Sequence, residues 1–328
     1  MSVERAIDPT IAAVLAQMPV LVGELTAESL PAIRAQRLAF GDQIQLSDDV
    51  ERVDHTVRGP EGGPDVVLRV HTPKGLTGPL PCVYSIHGGG YVLGTYEMED
   101  LRFDQWCPRL GIVGVSVEYR LAPETPYPGP LEDCYAGLAW VFDHAGELGI
   151  DRTRVGIAGA SAGGGLAAGL ALLTRDRGQL DLAFQMLIYP MIDDRRVTPS
   201  SSWDVPIWSP ANNEFGWRSY LGPLHGTEQI PPYAAATRAT DLTGLPPAFV
   251  CVGTMDGFCD EDIEYAQRLN HAGVPTELHV YPGAPHGFDG FAPTAPLARR
   301  CRREMREWLA AVLGVTEAET PVSAPAPA

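Results

Sequence analysis

The chain has 328 residues, 45% of them apolar, and 41 acidic against 24 basic residues give a formal net charge of −17. That composition supplies apolar material for a large core, and the charge repels polyanions, which excludes nucleic acid as a partner. Lys74 is the only lysine and no GxxxxGK[ST] stretch occurs, so a P-loop nucleotide site is excluded too.

Six cysteines (Cys82, Cys107, Cys134, Cys251, Cys259 and Cys301) form neither a CxxC pair nor a zinc-ligand spacing. No metal and no cofactor are therefore expected, and Cys82 and Cys251, in apolar strand-like runs, read as buried thiols. The N-terminus lacks a basic region followed by an apolar core and a cleavage site. No apolar run approaches membrane-spanning length. A cytoplasmic protein with free thiols and no membrane contact is the expectation.

In chain order, residues 4–18 and 28–39 read as helices with one apolar face, with Pro19 and Pro31 marking breaks or starts. Two alternating stretches, 53–58 and 66–72, flank GPEGGP and read as a hairpin. From residue 81 short β-branched runs (82–86, 112–118, 154–158, 184–189, 247–253, 276–281) alternate with helical patterns near 97–110, 131–147, 161–177, 258–272 and 294–313. That rhythm implies crossover units and a mainly parallel sheet of about eight strands, covered on both faces. Residues 190–246 break it: they are long, irregular and rich in proline and aromatics. The expected organisation is 1–45 as the N-terminal part of a cap, 46–189 and 247–314 as the two parts of an α/β core, 190–246 as a cap insertion, and 315–328 as a disordered, low-complexity tail.

The chemistry concentrates in three places. Gly159-Ala160-Ser161-Ala162-Gly163 is a GxSxG pentapeptide after one predicted strand and opening one predicted helix. That context lets a serine stand exposed on a sharp turn at a helix N-terminus. His87-Gly88-Gly89-Gly90-Tyr91 follows another strand, and its glycines can aim backbone N–H groups into a cavity. Gly88 and Gly89, with Ala162, are the candidate oxyanion donors. His87 reads as an organiser of the loop. A serine nucleophile needs a base and the base an acceptor, in the chain order serine, acid, histidine. His286, in PGAPHGF after the last predicted strand, fits the base; His279 and His271 read as structural. Asp256, in the loop after 247–253, is preferred as the acid, with Asp260 and Glu261 expected to face solvent or cap a helix. Tyr91, Trp208 and Phe215 are candidates to line the acyl pocket, or else to glue the cap to the sheet.

These segments resemble the bacterial esterases related to hormone-sensitive lipase. The resemblance is carried by HGGGYVLG (87–94), YRLAPETPYPGPLED (119–133), GASAGGGLAA (159–168), LIYP (187–190), DGFCDE (256–261) and HGF (286–288). It implies an α/β-hydrolase fold: an eight-stranded, mostly parallel sheet flanked by helices, with a helical cap. It implies Ser161, Asp256 and His286 as a triad and Gly88, Gly89 and Ala162 as an oxyanion hole. It also implies hydrolysis of short-to-medium acyl esters, and makes a homodimer through an edge strand or the last helix plausible. Two departures are Ala160, where many members carry an acidic residue, and Asp262, which replaces a common glycine.

Other readings stay open. The same machinery serves amides, lactones and carbamates. The fold also hosts non-catalytic small-molecule receptors, but with incomplete triads. Gly163–Ala168 formally fits a dinucleotide fingerprint, yet Gly163 falls in the helix rather than in the turn leaving the strand.

Overall fold

A computed structural model describes residues 6–18, 23–41 and 45–318. Two helices come first, α1 (Pro9–Leu15) and α2 (Leu30–Gly41). The first is shorter than the stretch expected, because the Asp8 carboxylate accepts from Thr10 N and Ile11 N and starts it there, with Pro9 in its first turn. Residues 1–5 and the break expected at Pro19 lie outside the described residues.

The hairpin is β1 (Val50–Val57) and β2 (Val66–Pro73), antiparallel with Val57 opposite Val66. Then follow β3 (Leu80–Ile86), α3 (Asp100–Leu110), β4 (Val113–Glu118), α4 (Gly129–Asp143), β5 (Ile150–Ala160), α5 (Ala162–Arg177), β6 (Gln185–Ile188), α6 (Pro210–Leu221), β7 (Ala248–Met255), α7 (Cys259–His271), β8 (Thr276–Pro285), α8 (Phe288–Phe291) and α9 (Pro296–Leu313). The strands form one sheet in the order β1-β2-β4-β3-β5-β6-β7-β8. β2 runs antiparallel to both β1 and β4, and the other pairings are parallel.

Because side chains alternate along a strand, the sheet feeds two cores. Cys82, Tyr84 and Ile86 of β3 enter one, with α4, α5 and α6; Val83 enters the other, with α3 and α9. Both faces are thus covered, which is why the central strands read as continuous apolar runs rather than as alternation. All six cysteines are buried, and none is in a disulfide among the described residues. No described helix is long and apolar enough to cross a membrane.

Helix α6 lies in the segment expected to be irregular. Its sequence, PANNEFGWRSYL, holds weak helix formers. It forms because Ser209 Oγ accepts from Asn212 N, Pro210 occupies the first turn, and Trp217, Tyr220 and Leu221 are buried. Asn212 also ties this helix to the N-terminal segment: Leu25 N donates to Asn212 Oδ1 at 2.9 Å and Asn212 Nδ2 donates to Gly23 O at 3.1 Å. From α2, Arg34 donates to the carbonyls of Val92 and Ala122, each at 2.8 Å, and pairs with Glu124. At the other end, residues 315–318, expected to be disordered, are anchored. Ala318 N donates to Arg109 O at 2.7 Å, and Glu317 pairs with Arg306 at 2.8 Å. The rest of that tail, 319–328, lies outside the described residues.

The parallel strands end together. Ile86 pairs with Gly159, Ala160 with Ile188, Ile188 with Cys251, and Met255 with Pro285. Every loop that carries a candidate residue therefore leaves the same edge of the sheet, where ligand sites of such folds form.

Candidate active site

Ser161 sits between β5 and α5 with φ 58° and ψ −123°, a conformation that L residues rarely adopt. The elbow is held from both sides. Ser161 N donates to Ile188 O at 2.9 Å, and its carbonyl accepts from Gly165 N at 3.0 Å and Met191 N at 2.9 Å. A side chain at Gly159 would begin 2.1 Å from the Gly163 carbonyl oxygen, so the turn closes only with glycine there. The strain presents Oγ at the N-terminus of a buried helix, where the helix dipole favours negative charge.

His286 follows β8 and Asp256 follows β7. His286 Nδ1 lies 2.7 Å from Asp256 Oδ2 and Nε2 lies 2.9 Å from Ser161 Oγ. A carboxylate only accepts, so Nδ1 carries the hydrogen and Nε2 is left to accept from the serine hydroxyl. Asp256 is itself fixed, its Oδ1 accepting from Phe258 N at 3.1 Å. The imidazole is braced edge-on by Tyr189 and Phe258, with ring centroids 4.9 and 5.1 Å away. The rival histidines stay outside: His279 contacts Glu277 and Glu304, and His271 ends α7.

The His87–Tyr91 loop lies against the elbow. Among the described residues no acceptor takes the N–H of Gly88, Gly89 or Ala162. At Gly88 an added Cβ would sit 2.8 Å from Ala160 O and 3.3 Å from Ser161 Cβ. Gly88→Ala is therefore expected to push the loop off the elbow and lower kcat by about 10²–10³-fold, measured on an aryl ester. His87 is buried, bonds the Gly88 carbonyl at 2.9 Å and stacks on Tyr119, consistent with an organising role. Burial pushes its pKa down to about 4.

Ser161, His286 and the three loop glycines open into a cavity of about 600 Å³. Trp208 lines it. Tyr91 and Phe215 do not. A φ of 66° turns Tyr91 into the core, where its hydroxyl donates to Met191 O at 2.7 Å and its ring stacks on Tyr220 at 4.0 Å. Phe215 packs half-buried against the same core. The wall also holds residues that the sequence did not single out: Glu99, Arg102, Tyr189 and Asp289. Glu99 and Arg102 stand three apart on one helical face, and Asp289 follows His286 by three. Neither spacing is a motif, so neither announced a site.

Behind the acid, the structure corrects one expectation. Glu261 does not face solvent: it is 1% exposed, and its Oε1 accepts from Ile192 N and Asp193 N, each at 3.3 Å. Asp260 accepts from Ser200 N at 2.8 Å. Asp262 is fully buried, and neither oxygen has a partner among the described residues. Burial, then the neighbouring Glu261 and Asp256, raise its pKa well above the carboxylate range. The folded state thus keeps Asp262 protonated where the unfolded chain ionises. Stability is fully retained below the ordinary carboxylate pKa of 3.8 and is lost as pH rises above it. Asp262→Ala is expected to stabilise the protein by ~1–3 kcal/mol in urea titrations. The gain should be larger at mildly alkaline than at mildly acid pH.

The chain matches the family described as alpha/beta hydrolase fold over residues 83–290. It is 34% identical to esterase LipI of Mycobacterium tuberculosis over 297 residues, 89% of this chain and 91% of that protein. Carboxylesterase NlhH of the same organism is 35% identical over 295 residues, 89% of this chain and 92% of that protein. Among solved structures, a bacterial heroin esterase superposes with TM-score 0.89 at 41% identity, covering 94% of this chain and 98% of that one. Esterase LipW from Mycobacterium marinum gives 0.83 at 35% identity, covering 95% and 97%. With a family match over most of the chain and near-full-length likeness to esterases, this protein belongs to the α/β-hydrolase family, in its branch of hormone-sensitive-lipase-like esterases, and is a carboxylic ester hydrolase.

Proposed function

We propose that the chain hydrolyses esters of short-to-medium acyl chains through an acyl-enzyme on Ser161. The observation that carries this reading is the unbroken hydrogen-bonded line Ser161–His286–Asp256 at the wall of the cavity. As His286 Nε2 removes the hydroxyl proton, Ser161 Oγ bonds the ester carbonyl carbon. The carbonyl oxygen takes the negative charge beside the N–H groups of Gly88, Gly89 and Ala162. Collapse breaks the bond to the alcohol oxygen, which receives the proton from His286. Water then repeats the sequence on the acyl-enzyme and releases the acid.

The segments before β1 and between β6 and β7 act as a cap over this edge of the sheet. Their mutual bonds through Asn212, and the place of Ile33, Ile207 and Trp208 in the cavity wall, support that role. About 600 Å³ accommodates a small ester rather than a long triglyceride chain. The test is a panel of aryl esters graded in acyl length and branching, with matched amides and with the Ser161→Ala protein as control. Rates should peak at short to medium acyl chains and vanish in the control. A peak at long chains would contradict the assigned substrate range, and faster amide cleavage would contradict the ester preference.

A further inference from the structure

We propose that the cavity beside Ser161 carries a subsite for an ammonium group on the ester, held by the carboxylates of Glu99 and Asp289. The inference rests on the esterase reading above and narrows its substrate class. Both side chains line the cavity while only 3% and 4% exposed. Each engages one oxygen. Glu99 Oε2 accepts from Ser85 Oγ and Arg102 Nη1, both at 2.6 Å. Asp289 Oδ1 accepts from Tyr189 OH at 2.7 Å. The other oxygen of each takes no partner among the described residues and is open to the cavity, where water or a cation can reach it.

The charges of the wall balance, Arg102 pairing with Glu99 and lying within electrostatic reach of Asp289, so the preference for a cation rests on the aromatic lining and the charge of the whole chain. Aromatic side chains of Trp208 and Tyr189 complete the wall, beside Trp106, whose ring already carries the Arg102 guanidinium at 5.5 Å, and aromatic faces attract quaternary ammonium groups. A net charge of −17 raises the local concentration of cationic substrates. The subsite adjoins the reacting centre through Tyr189, whose ring meets His286 at 4.9 Å. Arg302, half-buried in the same wall and without an ion pair among the described residues, supplies the opposite possibility, a preference for anionic esters.

The test compares kcat/KM for three acetate esters: acetylcholine, its neutral isostere with tert-butyl in place of trimethylammonium, and an analogue ending in a carboxylate. Acetylcholine should exceed the neutral isostere by about tenfold. That ratio should fall toward unity in Asp289→Asn and in Glu99→Gln. Taking the ratio within each protein cancels any general loss of activity. In the parent protein, tetramethylammonium should inhibit hydrolysis of the neutral isostere competitively, which keeps the test informative if a variant fails to fold. A ratio at or below one, a ratio unchanged in both variants, a preference for the carboxylate ester, or no inhibition by tetramethylammonium would overturn the proposal while leaving the esterase reading intact. No hydrolysis of any member would overturn both.

Discussion

Ser161→Ala is expected to lower kcat on an aryl ester by roughly 10⁵–10⁶-fold, with an unchanged unfolding midpoint. The size follows from geometry. Ser161 Oγ is the hydroxyl bonded to His286 Nε2, at 2.9 Å, and it stands on a turn whose backbone conformation costs free energy to maintain. Without that oxygen there is no acyl-enzyme. What remains is binding and the N–H groups of Gly88, Gly89 and Ala162, which alone give only a residual acceleration over water. The fold is indifferent to the change, because the turn is held by the backbone bonds of residue 161 to Ile188, Gly165 and Met191. A variant retaining a tenth of the parent rate would remove Ser161 from the chemistry.

Asp256→Asn is expected to cost about 10⁴-fold in kcat at neutral pH. The carboxylate accepts from His286 Nδ1 at 2.7 Å and thereby leaves Nε2 free to take the serine proton. An amide at that position can present its NH₂ group, which would fix the opposite tautomer and offer Ser161 a donor where it needs an acceptor. No neighbouring acid can substitute. Glu261 spends Oε1 on Ile192 and Asp193, and Asp262, though buried nearby, makes no hydrogen bond among the described residues. Steady-state kinetics on a neutral aryl ester decide it: a loss below tenfold would place the orienting acid elsewhere.

The frame of the site was legible because its signals are local. Apolar β-branched runs fixed where β3 to β8 would lie. GxSxG between a strand and a helix fixed Ser161. The loops after β7 and β8 supplied Asp256 and His286 at the edge where β5 also ends. What was not legible depends on contacts distant in the chain. Glu261 looks like an acid of the first helical turn, and its burial is explained only by N–H groups 69 and 68 residues away. Tyr91 beside three glycines reads equally as pocket or as core; a single positive φ, invisible in the sequence, sends it to the core. Helix α6 defies its own propensities because Ser209 caps it and its aromatic face is buried. The charged wall of Glu99, Arg102 and Asp289 assembles from the turn before α3, from α3 and from α8, which no short motif connects.

Phosphorylation by diethyl p-nitrophenyl phosphate, read by intact-protein mass and peptide mapping, bears most directly on the convergence of Ser161, His286 and Asp256. One diethylphosphoryl group per chain on the Ser161 peptide, with labelling abolished in His286→Ala, is the expected result. Labelling at another residue, or equally fast labelling without the His286 imidazole, would contradict it.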